Sequence, residues 1–194
     1  MIDDKKLICA FIYSAYESGY CGLVLDPELK EKHKQLYKDY IKKGDYFPKK
    51  EIDETQKKMM DSVSNLGIRD YIYRGHFNIV RERIEQETTS SFTEAVKSPL
   101  IRNPAINCSI NYYRVKEING NEIMGENILY KSMKKLKRLG GLEIPKIDNI
   151  ISGHWDFMLE IVGNWRGLKK GLVIANDYYN FLKTNNYLSS NYAY

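Results

Sequence analysis

The chain has 194 residues, 43% of them hydrophobic and 28% charged, enough apolar material for a real core in one ordinary domain or two small ones. A net charge of +5 is mildly basic and falls short of the asymmetry of a dedicated nucleic-acid binder. Three cysteines, Cys9, Cys21 and Cys108, with no CxxC pair, argue against a disulfide scaffold and a thiolate-rich zinc site, and for a reducing, cytoplasmic setting.

In chain order, Leu7, Ile8, Phe11, Ile12 and Ala15 follow helical spacing and Gly19 ends the run. The run is too short and too interrupted by polar residues to be a signal or a membrane span. Cys9 lies inside it and is expected in the core. Asp26-Pro27-Glu28-Leu29 reads as the start of a second helix. That helix carries Leu29, His33, Leu36, Tyr37, Tyr40 and Ile41 and stops at Gly44. Because Glu31, Lys32 and Lys34 surround His33, the imidazole is expected at the surface. Two more helices are expected over 51–66 and 70–87, then a Thr/Ser loop and a linker ending at Pro104.

The pattern changes after Pro104. Ile106, Cys108, Ile110 and Tyr112 alternate with period two, the spacing of a strand. Asn119-Gly120-Asn121 is a hairpin turn, because Asn and Gly accept positive φ at low cost. A return strand is expected over 122–130, interrupted by Gly125. The basic run Lys131, Lys134, Lys135, Lys137 and Arg138 reads as a solvated turn between strands, or alternatively as a phosphate-contacting surface. A long apolar strand over 149–162 carries His154, and a helix over 168–183 precedes a polar tail. Short strands followed by one helix suit a small barrel of OB type. The expected architecture is therefore α+β: a mainly helical region over 1–103, a β-barrel plus helix over 104–186, and a tail over 187–194. Sixteen tyrosines against six phenylalanines point to many half-buried rings at layer edges.

Cys108 and His154 are the leading candidate residues, because a thiolate and an imidazole brought together by a barrel suit a soft or borderline metal such as iron. The competing reading makes Cys108 a small buried hydrophobe and His154 a hydrogen-bonded barrel residue. Asp156 and Glu160 would share a face with His154 if all three lay on one strand. Cys21, between two glycines, is either a packed turn or a reactive thiol, and His76 is a candidate base for it. No phosphate-binding loop, dinucleotide fingerprint, HExxH or serine elbow is present.

Several of these segments resemble the HypC/HupF hydrogenase-maturation chaperones. Cys108 takes the place of their leading cysteine, although here it is internal. Val115-Lys116-Glu117-Ile118-Asn119-Gly120-Asn121 resembles their hairpin, and Ile150-Ile151-Ser152-Gly153-His154-Trp155-Asp156-Phe157 their histidine strand. The helix over 168–183 takes the place of their terminal helix. Gly19-Tyr20-Cys21-Gly22 is similar to a motif of a longer, uncharacterised, hydrogenase-associated family that puts a helical region before such a barrel. The resemblance implies an accessory protein that contacts a hydrogenase large subunit or maturation factor, with transient iron on Cys108 and His154. The rival readings are a thiol enzyme centred on Cys21 and an OB-type nucleic-acid binder using Lys131–Arg138 and its tyrosines. A nucleic-acid partner is the less expected one, and no membrane partner is expected.

Overall fold

The computed structural model describes residues 2–18, 30–50, 72, 73, 81, 106–163 and 165–185. The expected helix start at Asp26, the tail and nearly all of the helices over 51–66 and 70–87 lie outside the described residues.

Helix α1 spans Asp4–Ser18. The side chain of Asp3 accepts the Lys5 amide hydrogen at 3.0 Å and caps the helix start. All ten residues from Leu7 to Tyr16 are buried, so α1 is a central helix covered on every side. Helix α2 spans Lys30–Lys43 and packs on α1 through His33, Tyr37 and Ile41. It stops where expected: Gly44 turns left-handed at φ 77° and its amide donates to the Tyr40 carbonyl at 2.9 Å. His33 is buried rather than at the surface, with Nδ1 3.1 Å from the Tyr16 hydroxyl. The i, i+4 alignment with Tyr37 and Ile41 decides this, whatever its charged sequence neighbours.

Five strands follow: β1 (Asn111–Asn119), β2 (Glu122–Asn127), β3 (Met133–Lys137), β4 (Ile150–His154) and β5 (Phe157–Ile161). They close into a barrel in the order β1-β2-β3-β5-β4, and β4 pairs back onto β1. Only the β3–β5 contact is parallel, through Lys137 and Phe157. A C-terminal helix, α3, spans Trp165–Thr184. The molecule is thus α+β, with a small closed barrel between N-terminal helices and a terminal helix, consistent with the expected OB-like form.

The alternation of side chains explains why some strands read as continuously apolar. In β1, Tyr113 and Val115 point into the barrel with Ile123, Leu136, Ile151 and Met158. Tyr112 points the other way, into a second cluster shared with α1, α2 and α3. In β5, Met158 faces inward while Phe157 and Leu159 meet the helices, so both faces are buried. Tyr112 also fixes α3: its hydroxyl lies where a β-carbon on Gly171 would stand, so only glycine lets the helix approach this closely.

Three local expectations change. Residues 106 and 107 are helical and the strand begins at Asn111, later than the alternation from Ile106 suggests. The basic run is mostly strand β3, held between β2 and β5, and not a turn. The stretch 149–162 is two strands joined at Trp155 and Asp156, with His154 opposite Phe157. His154, Asp156 and Glu160 therefore do not share one strand face.

Candidate functional site

One end of the barrel gathers the segment before β1 and the β4–β5 turn. Residues 106–110 form a compact turn in which Ser109 Oγ donates to the Ile106 carbonyl at 2.6 Å and Asn111 Nδ2 reaches the same carbonyl at 3.1 Å. This turn holds Cys108 half-buried. The β1–β4 ladder ends at Asn111 opposite Gly153, and beyond it the Trp155 amide donates to the Asn107 carbonyl at 2.9 Å. Cys108 and His154 are thus the chain neighbours of the two residues joined by that bond. Trp155 adopts φ 52°, a left-handed conformation unfavourable for a bulky side chain, and the Asn107 bond helps to hold it there.

Lys134 on β3 ties the same two segments together. Its Nζ donates to Asn107 Oδ1 at 2.5 Å and lies 3.2 Å from Asp156 Oδ1. Burial pushes the ammonium below the usual lysine pKa, while the Asp156 carboxylate opposes the shift.

His154 is fully buried between the barrel and α1. Its ring lies 4.5 Å from the Phe11 ring, centre to centre, and Nδ1 is 2.6 Å from Ser14 Oγ. The Ser14 hydroxyl donates to the Phe11 carbonyl at 2.7 Å. Its single hydrogen being used there, the oxygen accepts from Nδ1–H of His154, which places the imidazole proton on Nδ1 and the lone pair on Nε2. The arrangement joins the helical layer to the barrel.

A resident iron centre does not fit these residues. Among the described residues no group of three or more His, Cys, Asp or Glu side chains is placed to hold a metal ion. The His154 ring is wholly enclosed with Nδ1 committed to Ser14, so Cys108 and His154 supply at most a thiolate and one nitrogen.

A second polar cluster lies on the barrel wall facing the helices. Tyr73 donates to Glu160 Oε1 at 2.6 Å and lies 2.9 Å from Ser152 Oγ, and its ring stacks on Tyr112. Burial, then the Glu160 charge, pushes the Tyr73 phenol well above its usual range. Glu160 is 4% exposed, a carboxylate that the tyrosine hydroxyl keeps hydrogen-bonded inside the fold.

Cys9 is buried in α1, as expected, and burial with the nearby Asp3 charge raises its thiol to about 12. Cys21 and His76 lie outside the described residues. Within the basic run, Lys135 pairs with Glu122 at 2.7 Å. The Arg138 guanidinium donates to the Leu142 carbonyl at 2.7 Å and to Asn121 Oδ1 at 2.6 Å. Lys131 and Lys137 are exposed. Three of the five basic side chains therefore have partners within the fold. Sequence reasoning did not single out Ser14 or Tyr73. The signal for Ser14 was a small hydroxyl inside an otherwise apolar helical run; for Tyr73 there was none. No family model matches the chain, and neither does any curated protein or solved structure.

Proposed function

We propose that the chain is an accessory protein in the assembly of a hydrogenase or related metalloenzyme, acting by protein–protein contact through the Cys108 end of its OB-like barrel. Iron, in this reading, is cargo completed by ligands of the partner, not a resident cofactor. The observation that carries it is the bond between Trp155 N and Asn107 O, which sets the Cys108 turn beside the His154 strand at one barrel end. Two features support the same end: the strained Trp155 next to His154, and Lys134 clamping the Asn107 and Asp156 sides together. Cys108 is half-buried at this end and not sealed in the core as Cys9 is. With the His154 ring enclosed, the Cys108 thiolate is the ligand this reading relies on, and metal binding itself favours its formation.

Anaerobic co-expression with a hydrogenase large-subunit precursor tests both parts. Wild type and Cys108→Ala are expected to co-purify with the subunit, with iron retained only by the wild-type complex. Equal iron in the two complexes would sink the cargo role of Cys108. If neither protein forms a complex, the accessory reading fails.

A further inference from the structure

Charge is unevenly placed in this molecule. Residues 30–50 hold eight lysines against Glu31, Asp39 and Asp45, which equals the whole chain's excess of +5 and leaves the other residues neutral in sum. Three of the six barrel-region lysines are neutralised by carboxylates: Lys116 pairs with Glu126 at 2.9 Å, Lys135 with Glu122 at 2.7 Å and Lys134 with Asp156 at 3.2 Å. On α2, Lys34 is likewise taken up by Glu17 and Glu31. Lys32, Lys38, Lys42, Lys43, Lys49 and Lys50 are exposed, and none forms a salt bridge among the described residues. Because His33, Tyr37 and Ile41 face the core, the helical period turns Lys32, Lys38, Lys42 and Lys43 to the solvent side. Lys38 and Lys42 are four apart, a like-charge spacing that costs an isolated helix a few tenths of a kcal/mol. Beyond Gly44, Tyr46 stands 53% exposed between the lysine pairs Lys42–Lys43 and Lys49–Lys50.

From this segregation we infer that the solvent face of α2 and the turn after it form a docking surface for an acidic protein face, with Tyr46 as its aromatic anchor. The inference deepens the assembly reading above by giving the partner a charge and a place to bind. A phosphate backbone is the poorer fit. The segment contains no arginine, the side chain suited to bidentate phosphate contacts, and Asp39 and Asp45 sit among the lysines. The β2–β3 surface, where OB barrels take oligonucleotides, carries the Lys135–Glu122 pair. Interspersed charges and an exposed tyrosine match a shaped protein surface, where complementary charge sets the association rate and aromatic anchors hold the complex.

The test measures binding of two labelled probes, a poly-glutamate peptide and a single-stranded DNA, by fluorescence anisotropy at low and physiological salt. Three proteins are compared: wild type, the α2 triple variant Lys38→Glu/Lys42→Glu/Lys43→Glu, and a barrel triple variant Lys116→Glu/Lys135→Glu/Lys137→Glu with the same change in net charge. The expected result is salt-sensitive peptide binding, lost about tenfold or more in the α2 variant and much less in the barrel variant. Circular dichroism checks that both variants fold, and a Lys→Gln version of the α2 set serves if the reversal does not. Equal losses in the two variants would mean net charge alone is responsible and would overturn the proposal. So would preferential capture of the DNA, or an α2 variant that binds like wild type. Loss of iron or of hydrogenase binding leaves this result untouched, so the two readings fail separately.

Discussion

A hydroxyl inside a fully buried helix must place both its hydrogen and its lone pairs within the protein. Ser14 does so by donating to the Phe11 carbonyl and accepting from His154 Nδ1, which turns two polar groups into a joint between α1 and the barrel. Ser14→Ala deletes the acceptor and leaves a buried N–H behind, so the variant is expected to lose about 1–3 kcal/mol in urea unfolding. Adding His154→Phe to Ser14→Ala removes the stranded donor and is expected to cost less than the two single losses together. Strict additivity of the two would show that the pair is not coupled.

Elements meet here through close backbone approach as well as side-chain packing. Gly141, between β3 and β4, sits at φ 97° with its missing β-carbon site 2.3 Å from the Ile41 carbonyl oxygen of α2. An alanine there meets both a left-handed backbone and fixed main-chain atoms, so the loop must lift from the helix. Gly141→Ala is therefore expected to destabilise by about 2 kcal/mol or more, by the sum of backbone strain and overpacking. Gly140→Ala, with nothing within 4 Å of its β-carbon site, is the matched control and is expected to be near neutral. Equal melting temperatures for the two variants would contradict the docking of this loop on α2.

At the scale of the whole molecule, buried weak acids set the response to alkali. Burial raises the Cys9 thiol from 9.0 to about 12. It also lifts the phenols of Tyr73, Tyr112, Tyr113 and Tyr130 above 10.0, with the Glu160 charge adding to the shift of Tyr73 and Tyr112. These groups keep their protons in the folded chain at pH values where the unfolded chain has lost them. Their contribution is complete below about pH 9 and is lost as pH rises from the unfolded pKa values toward the folded ones, by about 1.4 kcal/mol per pH unit for each group in its window. The chain is expected to unfold cooperatively in alkali, with tyrosinate absorbance rising in step with loss of helical circular dichroism. Tyrosinate appearing well before unfolding would show that these rings are accessible.

Local patterns carried much of the architecture. The apolar spacing of α1, the Gly44 stop, the two-residue Gly120–Asn121 turn and the terminal helix are all determined by nearest-neighbour chemistry and periodicity, and each was legible in the sequence. The candidate site was legible only as residue types. Cys108 and His154 could be named, but whether their segments adjoin depends on barrel closure, which pairs β1 with β4 across the intervening strands. The division of 149–162 into two strands was hidden because both faces of β5 are buried, which removes the alternation that marks a strand's end. His33 was misplaced because sequence neighbours advertise charge whereas helical neighbours determine burial. The sequence by itself determined that α1, the end of α2 and the terminal helix are helical, that the Gly120–Asn121 hairpin is extended, and which side chains have metal or acid–base chemistry. Only the tertiary structure decided that His154 joins α1 through Ser14, that Lys134 clamps the Cys108 turn, and that Lys116, Lys134 and Lys135 find carboxylates while Lys32, Lys38, Lys42 and Lys43 of α2 form no salt bridge among the described residues, because hydrogen-bond partners and ion pairs are chosen by contacts remote in sequence.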